Sequence, residues 1–364
     1  MKAVTIGGAM VDSIALINSG RIERMTMRNA EASFLLLEEG RKTEVEEIST
    51  HAGGGAVNAA ISMARLGFDV SSVVKLGTDQ RADAILAKLE NEGVSTRWVT
   101  RDSRQPTGAS VLLSSHERNA AVFTFRGANT LLEMDDIKPG ALGVDLVHVS
   151  SLSNQSADCF PALVKAARAN NCLVAANPGI RQLTARGRAF MDAITDIDIL
   201  VINRAEANAL VPALSAIAGE GGPSLPFDPE EDIPDLIRRG LSSGGFEISL
   251  LRFFRCLLDA GAGMVVITDG RNGAFVATLS EVVFCSALPT QVVGTAGAGD
   301  AFSSTFVALT ALKHPLKQAL KGATINAASV VKFADTQSGL LSYAELEMQL
   351  AAHEKEAEFR SWPV

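Results

Sequence analysis

A glycine-rich turn towards the carboxyl-terminal end of the chain has residues suited to phosphoryl transfer. Residues 292–300 have the sequence Val-Val-Gly-Thr-Ala-Gly-Ala-Gly-Asp and join a short apolar strand to a helix, residues 301–312, that is apolar nearly all round. Glycines allow several N–H groups to point at one spot, and the helix N-terminus adds a partial positive charge. The backbone of Gly297, Ala298 and Gly299 is therefore expected to hold a phosphoryl group during its transfer.

Asp300 ends this turn and lies in the first turn of the predicted helix. Its carboxylate could remove the proton from a hydroxyl group that attacks phosphorus. Aspartate is also a common helix cap, and from the turn alone the capping role is the more frequent of the two. The turn is not a Walker A loop, because the Lys-Ser/Thr ending is absent, and it lacks the third glycine of a dinucleotide-binding loop.

A second glycine-rich segment has residues that suit the recognition of hydroxyl groups. Residues 53–58 have the sequence Gly-Gly-Gly-Ala-Val-Asn and precede a predicted helix. Gly54 and Gly55 allow a ligand to approach the backbone closely, and the Asn58 amide offers both a donor and an acceptor. Asp12, just after the first predicted strand, could accept hydrogen bonds from neighbouring hydroxyls. Taken singly, Asp12 and Asn58 are more often turn formers.

The composition argues against several other functions. The net charge is −8 and no long Lys/Arg run occurs, which disfavours a nucleic-acid partner. No membrane segment is predicted, because no run of about 18 apolar residues occurs. The four scattered cysteines and an N-terminus without a signal-peptide pattern favour a cytoplasmic protein. A nicotinamide-dependent oxidoreductase is disfavoured, because the chain lacks a Gly-x-Gly-x-x-Gly followed by an acidic residue about 20 positions later.

Strand-length apolar segments alternate with amphipathic helices along most of the chain, which predicts parallel βαβ units. Residues 14–48 instead predict a small β-meander, and residues 108–113 and 121–125 a hairpin. Residues 218–245 are rich in Gly, Pro and acidic residues, and we predict a solvated surface loop with one short helix. The strands predicted for the main sheet include residues 2–7, 70–76, 146–149, 173–176, 199–202 and 264–268.

Four motifs in order resemble the ribokinase-like (PfkB) family of carbohydrate kinases. The first is Gly-Gly-x-x-x-Asn at residues 53–58, and the last is Gly-Ala-Gly-Asp at residues 297–300. Between them, residues 203–206 are similar to the family's Asn-x-x-Glu, and residues 268–273 to its Thr-x-Gly-x-x-Gly. The resemblance extends from residue 6 to about residue 340, nearly the whole chain.

This resemblance implies an α/β fold, with a three-layer α/β/α domain built on a mostly parallel sheet and a small β-sheet lid. The lid would close over the sugar and exclude water from the phosphoryl group. The kinase domain would comprise residues 1–13, 51–106 and 127–345, and the lid residues 14–50 and 107–126. Residues 218–245 would be a surface insertion.

The resemblance also implies roles for individual residues, with Asp300 as general base. The acceptor would be bound by Asp12, Gly54, Gly55, Asn58 and Arg126; ATP would be bound by Asn203, Thr268, Gly270, Gly273 and Asn326; and Mg²⁺ would be held through water by Glu206. From the residues alone, Glu206 is more often a charge that the dipole of a helix N-terminus favours. Asn326 equally suits a buried polar position, and Arg126 a solvated strand end.

Three residues depart from the family pattern and bear on cation activation and on the identity of the acceptor. Gly294 replaces an aspartate that in the family helps to build a monovalent-cation site, so activation by potassium is doubtful. Gly55 replaces a lysine of ribokinases, and Met10 a polar residue of several sugar kinases, which weakens a ribose assignment.

We therefore expect an ATP-dependent kinase that acts on a sugar or sugar-like molecule. A nucleoside kinase and a catalytically silent sugar- or nucleotide-binding regulator remain alternatives, and the resemblance suggests a homodimer through the lid.

Overall fold

The computed structural model describes residues 1–17, 23–26, 33–36, 40, 42–115, 120–227, 233–353 and 357–364. Parts of the predicted lid (18–22, 27–32, 37–39 and 41), of the hairpin (116–119) and of the insertion (228–232) lie outside the described residues. The strands are β1 (Lys2–Ile6), β2 (Met10–Ile17), β3 (Glu23–Thr26), β4 (Ser33–Leu36), β5 (Glu47–Gly53), β6 (Asp69–Val73), β7 (Lys75–Leu76), β8 (Thr100–Arg101), β9 (Gly108–Ser115), β10 (Ala120–Phe125), β11 (Leu146–Val149), β12 (Leu173–Ala176), β13 (Ile199–Asn203), β14 (Leu241–Ser243), β15 (Phe246–Ile248), β16 (Met264–Thr268), β17 (Ala274–Ala277), β18 (Glu281–Cys285) and β19 (Phe359–Pro363). The α-helices are α1 (Gly55–Arg65), α2 (Gln80–Asn91), α3 (Phe160–Ala169), α4 (Ile180–Asp192), α5 (Arg204–Ala218), α6 (Asp235–Arg239), α7 (Leu250–Asp259), α8 (Ala298–Ala311), α9 (Leu316–Val330) and α10 (Tyr343–Ala352).

Nine strands form the main sheet, in the order β19-β18-β17-β16-β13-β12-β11-β1-β6. The pairs from β6 to β16 are parallel, and the three pairs that add β17, β18 and β19 are antiparallel. The central strands are buried on both faces, which explains why they appear in the sequence as continuous apolar runs. The sheet is therefore mostly parallel, as predicted.

Helices cover both faces of this sheet. Alternate residues of one strand belong to different cores: Leu200 and Ile202 of β13 pack with α3, α4, α5 and α7, whereas Ile199 and Val201 pack with α1, α2, α8, α9 and α10. The predicted three-layer arrangement is confirmed. Helix α8 is buried nearly all round, as its sequence predicts, because it packs between α1, α9 and the sheet.

A smaller sheet with the order β10-β9-β2-β5 contains the predicted hairpin β9–β10. Strand β2 begins at Met10, before residue 14, where we expected the lid to begin. Asp12 therefore lies on the small sheet, paired in register with Ser110 of β9 and His51 of β5.

The segment 218–245 differs from the solvated loop that we predicted. It contains the expected short helix, α6, and also strand β14, which pairs with β15. Leu225, Leu236, Ile237 and Leu241 are buried in the core beside α5 and α7. Gly, Pro and acidic residues surround these apolar residues, and this composition favoured the prediction of a solvated loop.

Candidate active site

A cavity of about 420 Å³ lies between the two sheets, at the carboxyl ends of the parallel strands. Open parallel sheets usually bind ligands at this edge, and the volume suits a small molecule. The small sheet contributes Met10, Asp12, Ser110, Leu112, Val122 and Thr124, and the end of β10 contributes Arg126; the main domain contributes Gly54, Gly55, Asn58, Ser151, Asn177, Gly179, Val201, Ile202, Asn203, Glu206, Thr268, Ala296, Gly297, Gly299, Asp300 and Thr336.

Helix α8 begins at the wall of this cavity, after Gly297. Gly297 has φ +80°, and a Cβ atom there would approach the Cβ of Thr336 to 2.6 Å, so the turn requires glycine. Gly297, the N-cap residue, has no side chain with which to cap the helix, and Gly297 and Gly299 line the cavity. Ala298 lies in the same turn but does not line the cavity, and its N–H makes a long bond of 3.4 Å to the Thr295 carbonyl.

Asp300 lies in the first turn of α8 and lines the same cavity. Its Oδ2 accepts a hydrogen bond of 2.7 Å from Asn58 Nδ2. Burial raises the pKa of Asp300, the bond from Asn58 opposes this rise, and the negative charge of Asp12 adds to it. The carboxylate is thus held in one orientation in an environment that strengthens it as a base.

Asn58 is 3% exposed, and its amide makes three hydrogen bonds to protein groups. While Nδ2 donates to Asp300, Oδ1 accepts from Thr336 Oγ1 and from Gln337 Nε2, both at 2.9 Å. Asn58 also lines the cavity, and its assignment to a sugar hydroxyl stays a prediction. Its bond to the carboxylate of Asp300 orients that carboxylate.

Asp12 faces the cavity from β2 and accepts a hydrogen bond of 2.5 Å from Ser110 Oγ. Burial raises its pKa, while the bond from Ser110 and the charge of His51 oppose the rise. Gly54 has φ +97°, and a Cβ atom there would lie 2.6 Å from the Gly8 carbonyl oxygen. The absence of a side chain therefore allows the start of α1 to lie close to the segment that follows β1. Asp12, Gly54 and Gly55 are therefore together at the cavity wall, as the sequence predicts.

Glu206 and Asn203 form a capping box at the start of α5. Asn203 Oδ1 accepts from the Glu206 N–H at 2.9 Å, and Glu206 Oε2 accepts from the Asn203 N–H at 2.8 Å. Both residues also line the cavity, beside Thr268, which pairs with Asn203 across β13 and β16. Burial raises the pKa of Glu206 to about 7, and the nearby charge of Asp300 adds to this rise.

Three residues assigned to ATP lie away from this cavity. Gly270 and Gly273 form the turn after β16, beyond Thr268. Asn326 is 0% exposed, and its amide bonds Thr305 Oγ1 and the Leu341 N–H. Asn326 is therefore a buried polar residue whose amide is hydrogen-bonded within the helix packing, and its assignment to ATP stays a prediction.

The sequence did not single out Ser110, Thr336 or Gln337. Ser110 contacts Asp12 through a strand register that no local pattern specifies. Thr336 and Gln337 follow α9 and reach Asn58 across the fold. Glycine-rich motifs indicated other residues of the site in the sequence, whereas no motif surrounds Ser110, Thr336 or Gln337.

Comparison with known proteins identifies the family. The sequence model described as pfkB family carbohydrate kinase matches residues 20–239 and 249–342. The chain belongs to this family. The resemblance drawn from the four motifs is thereby confirmed, and the protein is a carbohydrate kinase.

Individual members of the pfkB family agree with this assignment. A deoxyribokinase of Salmonella typhi is 24% identical over 345 residues, 94% of this chain and 99% of that protein. A putative ribokinase II of E. coli in complex with ATP and Mg²⁺ has a similar fold, with a TM-score of 0.72, 18% identity, and coverage of 97% of this chain and 99% of the other. An Arabidopsis thaliana ribokinase complexed with ribose and ATP gives a TM-score of 0.69 at 19% identity, with 96% and 98% covered. Among the described residues of this pfkB kinase, no helix is long and apolar enough to cross a membrane.

Proposed function

We propose that this kinase transfers the γ-phosphoryl group of ATP to a hydroxyl group of a sugar in the cavity, with Asp300 as general base. The observation that carries this proposal is the hydrogen bond from Asn58, which holds Asp300 at the cavity wall in the first turn of α8. The sugar hydroxyl gives its proton to Asp300, its oxygen forms a bond to phosphorus, and the bond from phosphorus to the ADP oxygen breaks.

We assign Asp300 Oδ1 as the oxygen that accepts the proton of the sugar hydroxyl. Asn58 occupies Oδ2, and Oδ1 is turned towards Gly55, where a Cβ atom would lie 3.4 Å from it. The raised pKa of Asp300 makes the carboxylate a better proton acceptor. Gly55 has no side chain, so a hydroxyl group has room to approach this oxygen.

The start of α8 would stabilise the transferring phosphoryl group. Gly297 and Gly299 line the cavity, and no side chain caps the positive end of the helix dipole. Fixed dipoles of this kind favour developing negative charge without reorganisation during the reaction. The small sheet, with Asp12 and Ser110, would hold the other hydroxyls of the sugar.

The residues at the ends of β13 and β16 fit a phosphate donor with its magnesium ion. Mg²⁺ prefers one or two carboxylates together with water and substrate phosphates, and Glu206 supplies such a carboxylate beside Asn203 and Thr268. Bound there, Mg²⁺ would neutralise negative charge on the phosphates. We propose no monovalent-cation requirement, because Gly294 supplies no carboxylate at this position.

The small sheet would also pair two subunits. Its face opposite Asp12 carries Ile48, Val111, Phe123 and Phe125, all exposed, and Phe123 is 60% exposed. Exposed apolar side chains on one face of a sheet favour association. A second copy of the chain is the partner that we propose, in agreement with the homodimer suggested by the sequence.

Formation of ADP in the presence of ATP, Mg²⁺ and a panel of sugars and nucleosides tests this function. We expect stimulation of ADP formation by at least one sugar and by no nucleoside, with a phosphorylated sugar as product. Stimulation by a nucleoside alone would favour the nucleoside-kinase alternative. The absence of any acceptor-dependent turnover would favour a silent regulator and contradict the proposal.

A further inference from the structure

His148 is a polar side chain in the middle of the main sheet. It lies on β11, in register with Thr5 of β1 and Ala175 of β12, and it is 1% exposed. Its neighbours Val147 and Val149 pack on one face of the sheet, so His148 points to the other face, where Ala175 packs in the core with α1 and α8. Strands that are buried on both faces are normally apolar, which makes a histidine at this position unusual.

The imidazole of His148 contacts the helix that carries the proposed base. Its Nε2 lies 2.9 Å from Oγ of Ser303 on α8, and Ser303 is 0% exposed. Burial lowers the pKa of His148 to about 4, so the ring is neutral near pH 7 and has one donor and one acceptor nitrogen. Nδ1 has no hydrogen-bond partner among the described residues. Burial of an imidazole costs free energy that an apolar side chain would not cost, so stability alone does not account for this histidine.

Ser303 links the start of α8 to the main sheet. Among the described contacts, the side chains of Asp300 and Ser304 form hydrogen bonds with α1, and that of Thr305 with α9. Within the same part of the chain, only the bond of Ser303 joins a side chain of α8 to a strand of the main sheet. Ser303 follows Asp300 by three residues, about one helical turn. The bond to His148 is therefore the polar contact that relates the first turn of α8 to the sheet.

Much of the remaining packing of α8 on the sheet is apolar. Phe302, Phe306 and Leu309 of the helix are buried in the same core as Val201 and Val266 of the sheet. Apolar contacts stabilise a helix on a sheet, but they are not directional and permit small shifts of the helix. A hydrogen bond has a preferred length and angle, so it favours a single position of the helix.

Small shifts of α8 would affect the proposed chemistry directly. Its first turn carries Asp300, and Gly297 and Gly299 at its start line the cavity. A displacement of about 1 Å of a reacting group can lower a rate about a hundredfold. His148 does not line the cavity, so it can act on these groups only through Ser303 and not through contact with a substrate.

We infer that His148 is a positioning residue of this kinase, which holds the start of α8 on the main sheet through Ser303 and thereby places Asp300 beside the acceptor hydroxyl. The inference rests on the proposed function, in which Asp300 is the general base. Histidine suits the role because its rigid ring carries a hydrogen-bonding nitrogen from the strand to the helix. Because the ring is neutral, it also brings no charge close to the base.

Substitutions at both ends of the bond test the inference. His148→Leu fills similar space without a polar atom, and Ser303→Ala removes the other partner. We expect each to lower kcat about tenfold to a hundredfold, with the KM values for ATP and for the acceptor changed by less than about twofold. Since both variants break the same bond, the double variant should lose no more than the larger single loss. His148→Gln can present an amide nitrogen near the position of Nε2, and it should restore most of the wild-type kcat.

The kcat–pH profile distinguishes positioning from a general loss of stability. A displaced α8 weakens the bond from Asn58 that lowers the pKa of Asp300, so the acidic limb of His148→Leu should move to higher pH. The melting temperature of this variant should stay close to that of the wild type, because the freed hydroxyl can bond a carbonyl of its own helix. Thr5→Val is the matched control: Thr5 is buried beside His148 on the same face of the sheet and bonds Ser72 instead of α8, so its kcat should stay within about twofold of the wild type.

Wild-type turnover is measured first and tests the proposed function by itself; the absence of acceptor-dependent turnover contradicts both the function and the inference. With an active wild type, a kcat close to the wild-type value in His148→Leu or in Ser303→Ala overturns the inference and leaves the function standing. Losses that multiply in the double variant, or equal losses in His148→Gln and His148→Leu, also overturn it. If His148→Leu does not fold, Ser303→Ala decides the matter, because it breaks the same bond from the helix.

Discussion

Asn58 and Asp300, 242 positions apart in the sequence, are joined by a hydrogen bond of 2.7 Å across the cavity wall. Asn58 in turn is held by Thr336 and Gln337. The two glycine-rich turns that the sequence singled out thus meet in one contact. One turn supplies the proposed base, and the other supplies the residue that orients it.

Replacement of Asn58 by alanine tests this contact. Asn58→Ala removes a hydrogen bond that lowers the pKa of Asp300, so the base stays protonated to a higher pH. We expect kcat to fall by about tenfold to a hundredfold, and the acidic limb of the kcat–pH profile to move to higher pH. Thr336→Val, which removes only one of the two donors to Asn58 Oδ1, should give a smaller change. An unshifted acidic limb in Asn58→Ala would contradict the positioning role.

Glu206 is expected to give the kinase a pH-dependent affinity for magnesium. Burial raises its pKa to about 7, so the carboxyl is mainly protonated below that pH and ionised above it. A carboxyl group must be deprotonated to bind a metal, and we expect the apparent Mg²⁺ affinity to fall about tenfold as the pH is lowered from about 8 to about 6.

Glu206→Gln should abolish this pH dependence. The matched control is Glu345→Gln, which alters the corresponding residue of a capping box at the start of α10, outside the cavity. Titration of activity with Mg²⁺ at several pH values measures both variants. The same pH dependence in Glu206→Gln and in the wild type would show that another group is responsible.

Potassium is not expected to activate the enzyme. Gly294 carries no carboxylate, so this position supplies no charged ligand for a cation. Replacing potassium chloride by tetramethylammonium chloride at the same ionic strength should change kcat/KM by less than about twofold, since general screening is unaltered. Strong activation that is specific to potassium would contradict this expectation.

A polar residue on the outer face of the small sheet should weaken the proposed dimer. Phe123→Ser removes an exposed aromatic side chain, and we expect a concentration-dependent shift from dimer to monomer in light scattering coupled to size-exclusion chromatography. Val122→Ser, one position away and on the cavity face, should leave the dimer unchanged. A monomeric wild-type protein would refute the dimer outright.

The sequence predicted the main sheet well because its central strands are buried on both faces and so form uninterrupted apolar runs; β11, β12 and β16 have the bounds that we expected. It predicted that Asp300 lies in the first turn of a helix because the glycines before it form a turn that is local in the sequence. It left the burial of Asn326 open and did not predict the bond between Asp12 and Ser110, since both depend on how distant segments pack.

The central claim, that Asp300 is the general base, is tested most directly by the kcat of Asp300→Asn with ATP and the best acceptor. The substitution keeps the size of the side chain and an oxygen that can accept the bond from Asn58, but it removes the proton acceptor. We predict a loss of at least about a hundredfold in kcat, with an unchanged melting temperature and a KM for ATP close to that of the wild type. A variant with wild-type kcat would contradict the account.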